Sequence, residues 1–219
     1  MAVQKKQSFK GKFMETIIIV GAGGLAQDIY SYLSLSSQVE ISGILVDSES
    51  DYKKMNVPEK YLGKIFDYTP KKYEKVLVAV GENPGRSKII EYFKSINADF
   101  FTFIHPTVIL NRNTRIKDGA LIGPYCIIGS NVEIGANCFL NKFCNIGHDS
   151  IIGDGLIMYP YAMIGGHCIV EDNVTIYTRA TISPNLNIEK SSIVSAHVFL
   201  RKSIAANTAI YMKQNIITR

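Results

Sequence analysis

The sequence predicts a small α/β unit followed by a parallel β-helix, on three observations. A large apolar residue recurs at every sixth position from Ile104 through Leu200. A strand-like run, "TIIIV" at 16–20, leads directly into "GAGG" and then a helical pattern. The period changes from helical to six-residue across "FFTFIHPTVIL", residues 100–110. The chain therefore divides into an extension at 1–14, an α/β domain at 15–100 and a β-helix domain at 101–219.

The extension begins "MAVQKKQSFKGKF", which is basic and polar and lacks the apolar stretch of a signal peptide. It reads as a loose arm or as an upstream start ahead of Met14. A cytoplasmic protein is the matching expectation. The run at Thr16–Val20 is a buried strand, and "LAQDIYSYL" after Gly21–Gly24 is a helix. Strand, glycine turn and helix is the setting in which a backbone loop and a helix N-terminus receive a phosphate. G-A-G-G is shorter than the dinucleotide fingerprint, so a full nicotinamide dehydrogenase is not expected.

A second strand, "ISGILVDS", carries Asp47 near its end, where a carboxylate can meet a ribose or base edge, or simply cap the strand. A third, "KVLVAVG", leads to "ENPGRSKIIEYFKSI", which turns at Asn83-Pro84-Gly85 and opens a helix at Arg86. Ligands of such sheets gather at the carboxyl ends of the strands. Gly21, Gly23, Gly24, Asp47, Gly81 and Arg86 are thus the candidate nucleotide-binding residues of a Rossmann-like unit.

The β-helix half is a hexad repeat. Glycine often follows the aliphatic residue, as at Gly123, Gly129, Gly135, Gly147, Gly153 and Gly165, and is expected to form the sharp corners. The slot four residues after each aliphatic holds Ala120, Cys126, Val132, Cys138, Cys144, Ser150, Leu156, Ala162, Cys168, Val174 and Ala180. All four cysteines fall in it, without any CxxC spacing. They read as reduced filler in a narrow core, not as metal ligands or disulfides. The closing "AANTAIYMKQNIITR" loses the pattern and is expected to cap the stack.

No apolar run is long enough for a membrane span. The net charge of +5 is scattered, which suits anionic small ligands better than nucleic acid. One feature is not scaffold: "NIGHDSIIGD" sets His148-Asp149 into the hexads. Ile146 and Ser150 point inward, so His148 points outward, as a candidate general base. Asp149 can orient it only if the backbone bends, and Gly147 offers the bend.

The aliphatic-Gly-x-x-small-x hexad resembles the left-handed β-helix of hexapeptide-repeat proteins, with three hexads per triangular coil. With "GAGG", "IHPTVIL" and "NIGHDSIIGD", residues 15–200 resemble the sugar O-/N-acyltransferases, typified by sialic acid O-acetyltransferases and UDP-4-amino-sugar N-acetyltransferases. That resemblance implies a homotrimer that acetylates a nucleotide-linked amino sugar for a surface glycan. The N-terminal unit would hold the nucleotide-sugar, and acetyl-CoA would lie as cosubstrate along the β-helix between subunits, with no metal. It also implies His148 as general base, Asp149 as its assistant, and Gly165, Gly166 and His167 near acetyl-CoA. Two departures stand out: in "IMYPYA" Ile157 replaces a second histidine of the family and Tyr161 a glycine, and "YMKQNI" stands near the place of the family's late "G-N-P-A" stretch. His105 and His197 read as structural and surface residues. O-acetylation of a sialic acid or related sugar is the alternative within the family. An inactive nucleotide-sugar-binding protein or a structural solenoid is the alternative outside it. A zinc carbonic anhydrase on the same scaffold needs two histidines five apart, whereas His148 and His167 are nineteen apart.

Overall fold

The computed structural model describes residues 14–34 and 39–212. They form two compact units: residues up to Val80 together with Ile96–Asp99, and Gly81–Ser95 together with the chain from Phe100. The helix after Gly81 thus belongs with the second unit, not the first.

The first unit is a parallel sheet of β1 (Glu15–Val20), β2 (Val39–Leu45), β3 (Tyr61–Gly63) and β4 (Glu74–Val78), in the order β3-β2-β1-β4. Central β1 is an unbroken aliphatic run because it is buried on both faces, with Ile17–Val20 fully shielded. It ends at Gly21, whose φ of 118° suits only glycine, and where a Cβ would sit 2.9 Å from the Ala79 carbonyl. Helix α1 (Gly24–Leu33) buries Ala26, Ile29 and Leu33, the apolar stripe that its spacing requires. Helix α2 (Glu49–Met55), capped by Ser48 Oγ accepting from Asp51 N–H, and the edge strand β3 are not read from the sequence.

The second unit holds α3 (Gly85–Ser95) and a left-handed β-helix of two-residue strands. These strands run from Phe103–Ile104 to Ala209–Ile210 and stack in three parallel sheets of seven, six and five. Partners lie eighteen residues apart: Asn145-Ile146 pairs with Ile127-Ile128 and with Met163-Ile164. The aliphatic series from Ile122 to Leu200 is buried, as is the second inward slot. The four cysteines are free and buried. Each thiol meets a main-chain carbonyl fifteen residues on, as in Cys126 to Asn141 O at 3.0 Å and Cys168 to Ser183 O at 3.2 Å. Ser150 does the same with Gly165 O at 3.1 Å. The slot therefore takes small side chains whose one weak donor can be satisfied across the coil. Burial pushes the Cys138 thiol up to about 12, which keeps it unreactive.

Two expectations need correction. Although Gly119 and Gly155 do take corner positions, the left-handed corners are not at the glycines that directly follow the aliphatic residues. Left-handed backbone falls two residues later, at Asn131, Asn137, Asp149, His167 and Asn173 among others, with φ near 57°. The glycine after the aliphatic residue answers to stacking instead: a Cβ on Gly147 would lie 2.3 Å from Gly166 N in the next coil. Gly147→Ala should therefore lower unfolding stability by about 1–3 kcal/mol, the scale of overpacking, as read from denaturant melts. The C-terminal segment is also not simply a cap. Ile204 bridges Ile188, and Ala209–Ile210 pairs with Ile193–Val194, so the β-helix runs on with two residues deleted from its period. Residues 1–13 and 213–219, where the arm and the rest of the cap were expected, lie outside the described residues.

Candidate active site

His148 and Asp149 follow the strand Asn145–Ile146 at one corner of the β-helix. The bend that brings them together is at Asp149 itself, whose φ is 58°, and not at Gly147. Asp and Asn enter this left-handed region more readily than most residues, so a carboxylate suits the corner as well as the chemistry. The bend swings Asp149 back alongside its neighbour: His148 Nδ1 and Asp149 Oδ2 are 2.7 Å apart.

The other carboxylate oxygen is also held. Asn131, at the same corner one coil earlier, donates from Nδ2 to Asp149 Oδ1 at 2.8 Å. Asn113, a coil before that, donates to Asn131 Oδ1 at 3.0 Å. The three residues form an axial ladder of side chains that ends on the carboxylate. The hydrogen bonds from His148 first and Asn131 second hold the Asp149 carboxyl below the usual carboxylate range. Its ionised form is thus present above the ordinary range and is lost only as pH falls through the lowered value. An ionised carboxylate only accepts, so Nδ1 of a neutral His148 must carry the proton, and Nε2 is left as the basic nitrogen.

His167 occupies the same corner one coil later. Its Nε2 is 3.9 Å from Asp149 Oδ2, and its ring meets that of His148 edge to face, with centroids 4.9 Å apart. Gly166 lies beneath His148: a Cβ there would be 3.0 Å from Nε2. Backbone bonds tie the coils at this point, from His167 N–H to His148 O at 2.8 Å and from Asp149 N–H to Ser130 O at 2.9 Å. His148, Asp149 and His167 are thus exposed side chains on a rigid mount.

Gly23 and Gly24 are exposed at the start of α1, with open space where their Cβ atoms would be. Asp47 is exposed after β2, and its Oδ1 accepts from Ile65 N–H at 3.0 Å. Gly81 and Arg86 belong to the second unit. The Gly81 carbonyl accepts from Tyr159 OH at 3.2 Å. Arg86 is 1% exposed; it donates to Asn137 O at 3.1 Å and lies over the Phe139 ring. Its guanidinium packs against the β-helix. Gly165 is buried against Pro184.

Both substituted positions of "IMYPYA" fall away from His148, and "YMKQNI" lies mostly outside the described residues. Ile157 is 1% exposed. Tyr161 stands at another corner, in a stack with Phe143 and Tyr125 whose centroids are 4.7 and 5.1 Å apart, with Arg179 beyond it. His105 closes a local turn with Thr107 at 2.8 Å, and His197 is an exposed corner residue. Asn131 is the site residue that sequence reasoning missed, although a step of eighteen residues back from Asp149 leads to it.

Comparisons with known proteins agree with this architecture. Residues 16–93 match the PglD N-terminal domain, and residues 131–166 match six bacterial transferase hexapeptide repeats. A UDP-N-acetylbacillosamine N-acetyltransferase from Bacillus subtilis (strain 168) is 29% identical over 113 residues, which are 50% of this chain and 51% of the relative. The match thus spans about half the length of that curated relative. Among solved structures, perosamine N-acetyltransferase from Caulobacter crescentus, a mutant in complex with CoA and GDP-perosamine, superposes with a TM-score of 0.76. It is 16% identical, and the match covers 91% of this chain and 95% of that one. The acetyltransferase domain of PglB from Neisseria gonorrhoeae FA1090, in complex with acetyl coenzyme A, gives 0.73 at 17% identity, covering 86% and 92%. At such identities the two structures speak for the fold.

Proposed function

We propose that this chain, a PglD N-terminal domain joined to bacterial transferase hexapeptide repeats, is an acetyl-CoA-dependent N-acetyltransferase of a nucleotide-linked amino sugar. The observation that carries the reading is the His148–Asp149 pair, with Nδ1 2.7 Å from the carboxylate and Nε2 left basic on an exposed corner. His148 Nε2 takes the proton from the amine as its nitrogen attacks the thioester carbonyl of acetyl-CoA. The tetrahedral intermediate collapses, the C–S bond breaks, and the CoA thiolate leaves and is protonated. The amide product keeps the acetyl group. Asp149 fixes the tautomer and stabilises the imidazolium, the task of an orienting carboxylate beside a catalytic histidine. Gly165, Gly166 and His167 lie along the path of acetyl-CoA. The loop Gly21–Gly24 and Asp47 receive the nucleotide-sugar.

The relatives support the substrate class. One is named for N-acetylating a UDP-linked amino sugar, and two structural neighbours were solved with CoA and GDP-perosamine or with acetyl-CoA. We take the working form to be a homotrimer. One face of the β-helix presents the row Ile109, Ile127, Asn145, Met163, Thr181 and Phe199, whose four large apolar members are exposed and suit a second copy. Among the described residues no helix is long and apolar enough to cross a membrane, and we place the protein in the cytoplasm, where it would prepare sugars for a surface glycan.

Purified protein given acetyl-CoA and a UDP-linked 4-amino-4,6-dideoxy sugar should release thiol and yield an N-acetylated sugar. Release with sialic acid alone would move the assignment to O-acetylation. An absence of acetyl-CoA binding would leave a nucleotide-sugar-binding or purely structural solenoid.

A further inference from the structure

We propose that His148, Asp149 and His167 also form a binding site for a divalent cation of the zinc class, and that its occupant is an inhibitor of the site, not a cofactor. One ligand atom from each residue lies within 4.8 Å of the other two. The set is two imidazole nitrogens and one carboxylate oxygen, a combination that suits zinc and its late transition-metal neighbours more than magnesium or calcium.

The arrangement is built, not incidental. His148 and His167 come from successive coils whose main chains are bonded to each other at 2.8 Å, so the two imidazoles cannot drift apart with a loop. Asp149 sits between them: its Oδ2 faces His148 Nδ1 at 2.7 Å and His167 Nε2 at 3.9 Å. Asn131 holds the opposite oxygen at 2.8 Å and so aims Oδ2 at the two rings, as an outer-shell partner orients a metal-ligating carboxylate. In a tetrahedral zinc site donor atoms stand roughly 3.3 Å apart, given bonds of about 2.0–2.1 Å. The two separations from Asp149 Oδ2, 2.7 and 3.9 Å, bracket that spacing, and with all three donor atoms within 4.8 Å of one another, side-chain rotation of the exposed imidazoles would close the set on an ion. Three protein ligands leave a fourth position for water or an incoming anion.

Inhibition follows from the tautomer. Acetyl transfer, as read above, needs the proton on His148 Nδ1 and a bare Nε2. A cation on Nδ1 displaces that proton, and the neutral ring then carries its hydrogen on Nε2. The basic nitrogen becomes a donor, so the base is silenced even where substrate can still enter. Only this inhibitory half rests on the acetyltransferase reading.

The test has two arms. Untagged full-length protein is titrated with Zn2+ alone by calorimetry, and with Co2+ by its visible spectrum. One ion per chain is expected, with affinity falling at least about tenfold in His148→Ala and in His167→Ala, and similarly in Asn131→Leu, the scale seen when an outer-shell partner is lost. His105→Ala and His197→Ala should leave affinity unchanged. Because His148 and His167 are exposed, the variants should melt with the native protein, and circular dichroism checks that they do. Absence of binding at millimolar Zn2+, or binding unaltered in both His148→Ala and His167→Ala, would overturn the site. In the second arm, Zn2+ should stop thiol release and a chelator should restore it. Full activity with the site saturated would overturn the inhibitory role. The first arm uses no acyl donor or sugar, so failure of the enzymatic reading and failure of the metal site are told apart.

Discussion

Replacing His148 by Ala should lower kcat for acetyl transfer by roughly two to four orders of magnitude, the range for losing a positioned general base. The side chain is 61% exposed and Gly166 lies beneath it, so truncation leaves no buried cavity and removes no core contact. The melting temperature should therefore match that of the native protein. The KM for acetyl-CoA should change little, because the proton is taken from the acceptor and not from the thioester. Thiol release at saturating donor and acceptor reads the rate, and added imidazole should recover part of it by refilling the space above Gly166. Activity that survives the substitution would remove His148 from the role. Another basic group near the acceptor amine would then have to be found.

Much of the second unit was legible because its pattern is redundant. The six-residue period repeats one physical demand, an aliphatic group filling a narrow core, and from Ile122 to Leu200 the structure meets it each time. The small slot was legible for the same reason, and it accounts for all four cysteines. What the period could not convey was which residue turns the corner. Glycine drew attention as the residue that tolerates unusual backbone angles. Here the glycine after the aliphatic residue is required for the nearness of the next coil, while the left-handed position two residues later is taken mostly by Asn but also by Asp149, His167, Tyr161 and Gly155 among others. The burial of Arg86 was not legible for a related reason. A cation opening a helix after a strand looks like a phosphate ligand, and nothing local says that its guanidinium will be buried against Asn137 and Phe139 of a segment some fifty residues on. His148-Asp149 was visible as a pair adjacent in sequence. Asn131 was not, because its contact depends on the stride of eighteen residues that makes distant corners neighbours.

That stride leads to the sharpest prediction, which concerns Asp149. An amide in its place is nearly the same shape, yet Asp149→Asn should be more damaging than Asp149→Ala. Asn131 Nδ2 already donates to the 149 side chain at Oδ1, so an amide there keeps its oxygen toward Asn131 and turns its NH2 toward His148 Nδ1. A donor facing Nδ1 demands a bare Nδ1 and moves the ring proton to Nε2, the wrong tautomer for a base. A loss of about three to four orders of magnitude in kcat is the scale for such an inversion. Alanine leaves the ring free to choose and should cost less. Asn131→Asp in the same chain reverses the direction. One oxygen of the carboxylate introduced at position 131 can still accept from Asn113, and the other now accepts from the amide at 149, which flips to offer its oxygen to His148. The double variant Asn131→Asp/Asp149→Asn should thus recover at least about tenfold over Asp149→Asn alone, roughly 1.4 kcal/mol, and the coupling in a double-mutant cycle should exceed that by whatever Asn131→Asp costs alone. Ring 15N shifts of His148 should report Nδ1–H in the native protein, Nε2–H in Asp149→Asn, and Nδ1–H again in the double variant. If the rates of the two changes simply multiply and the shifts do not return, the Asn131–Asp149–His148 ladder does not set the tautomer, and Asp149 acts by charge alone.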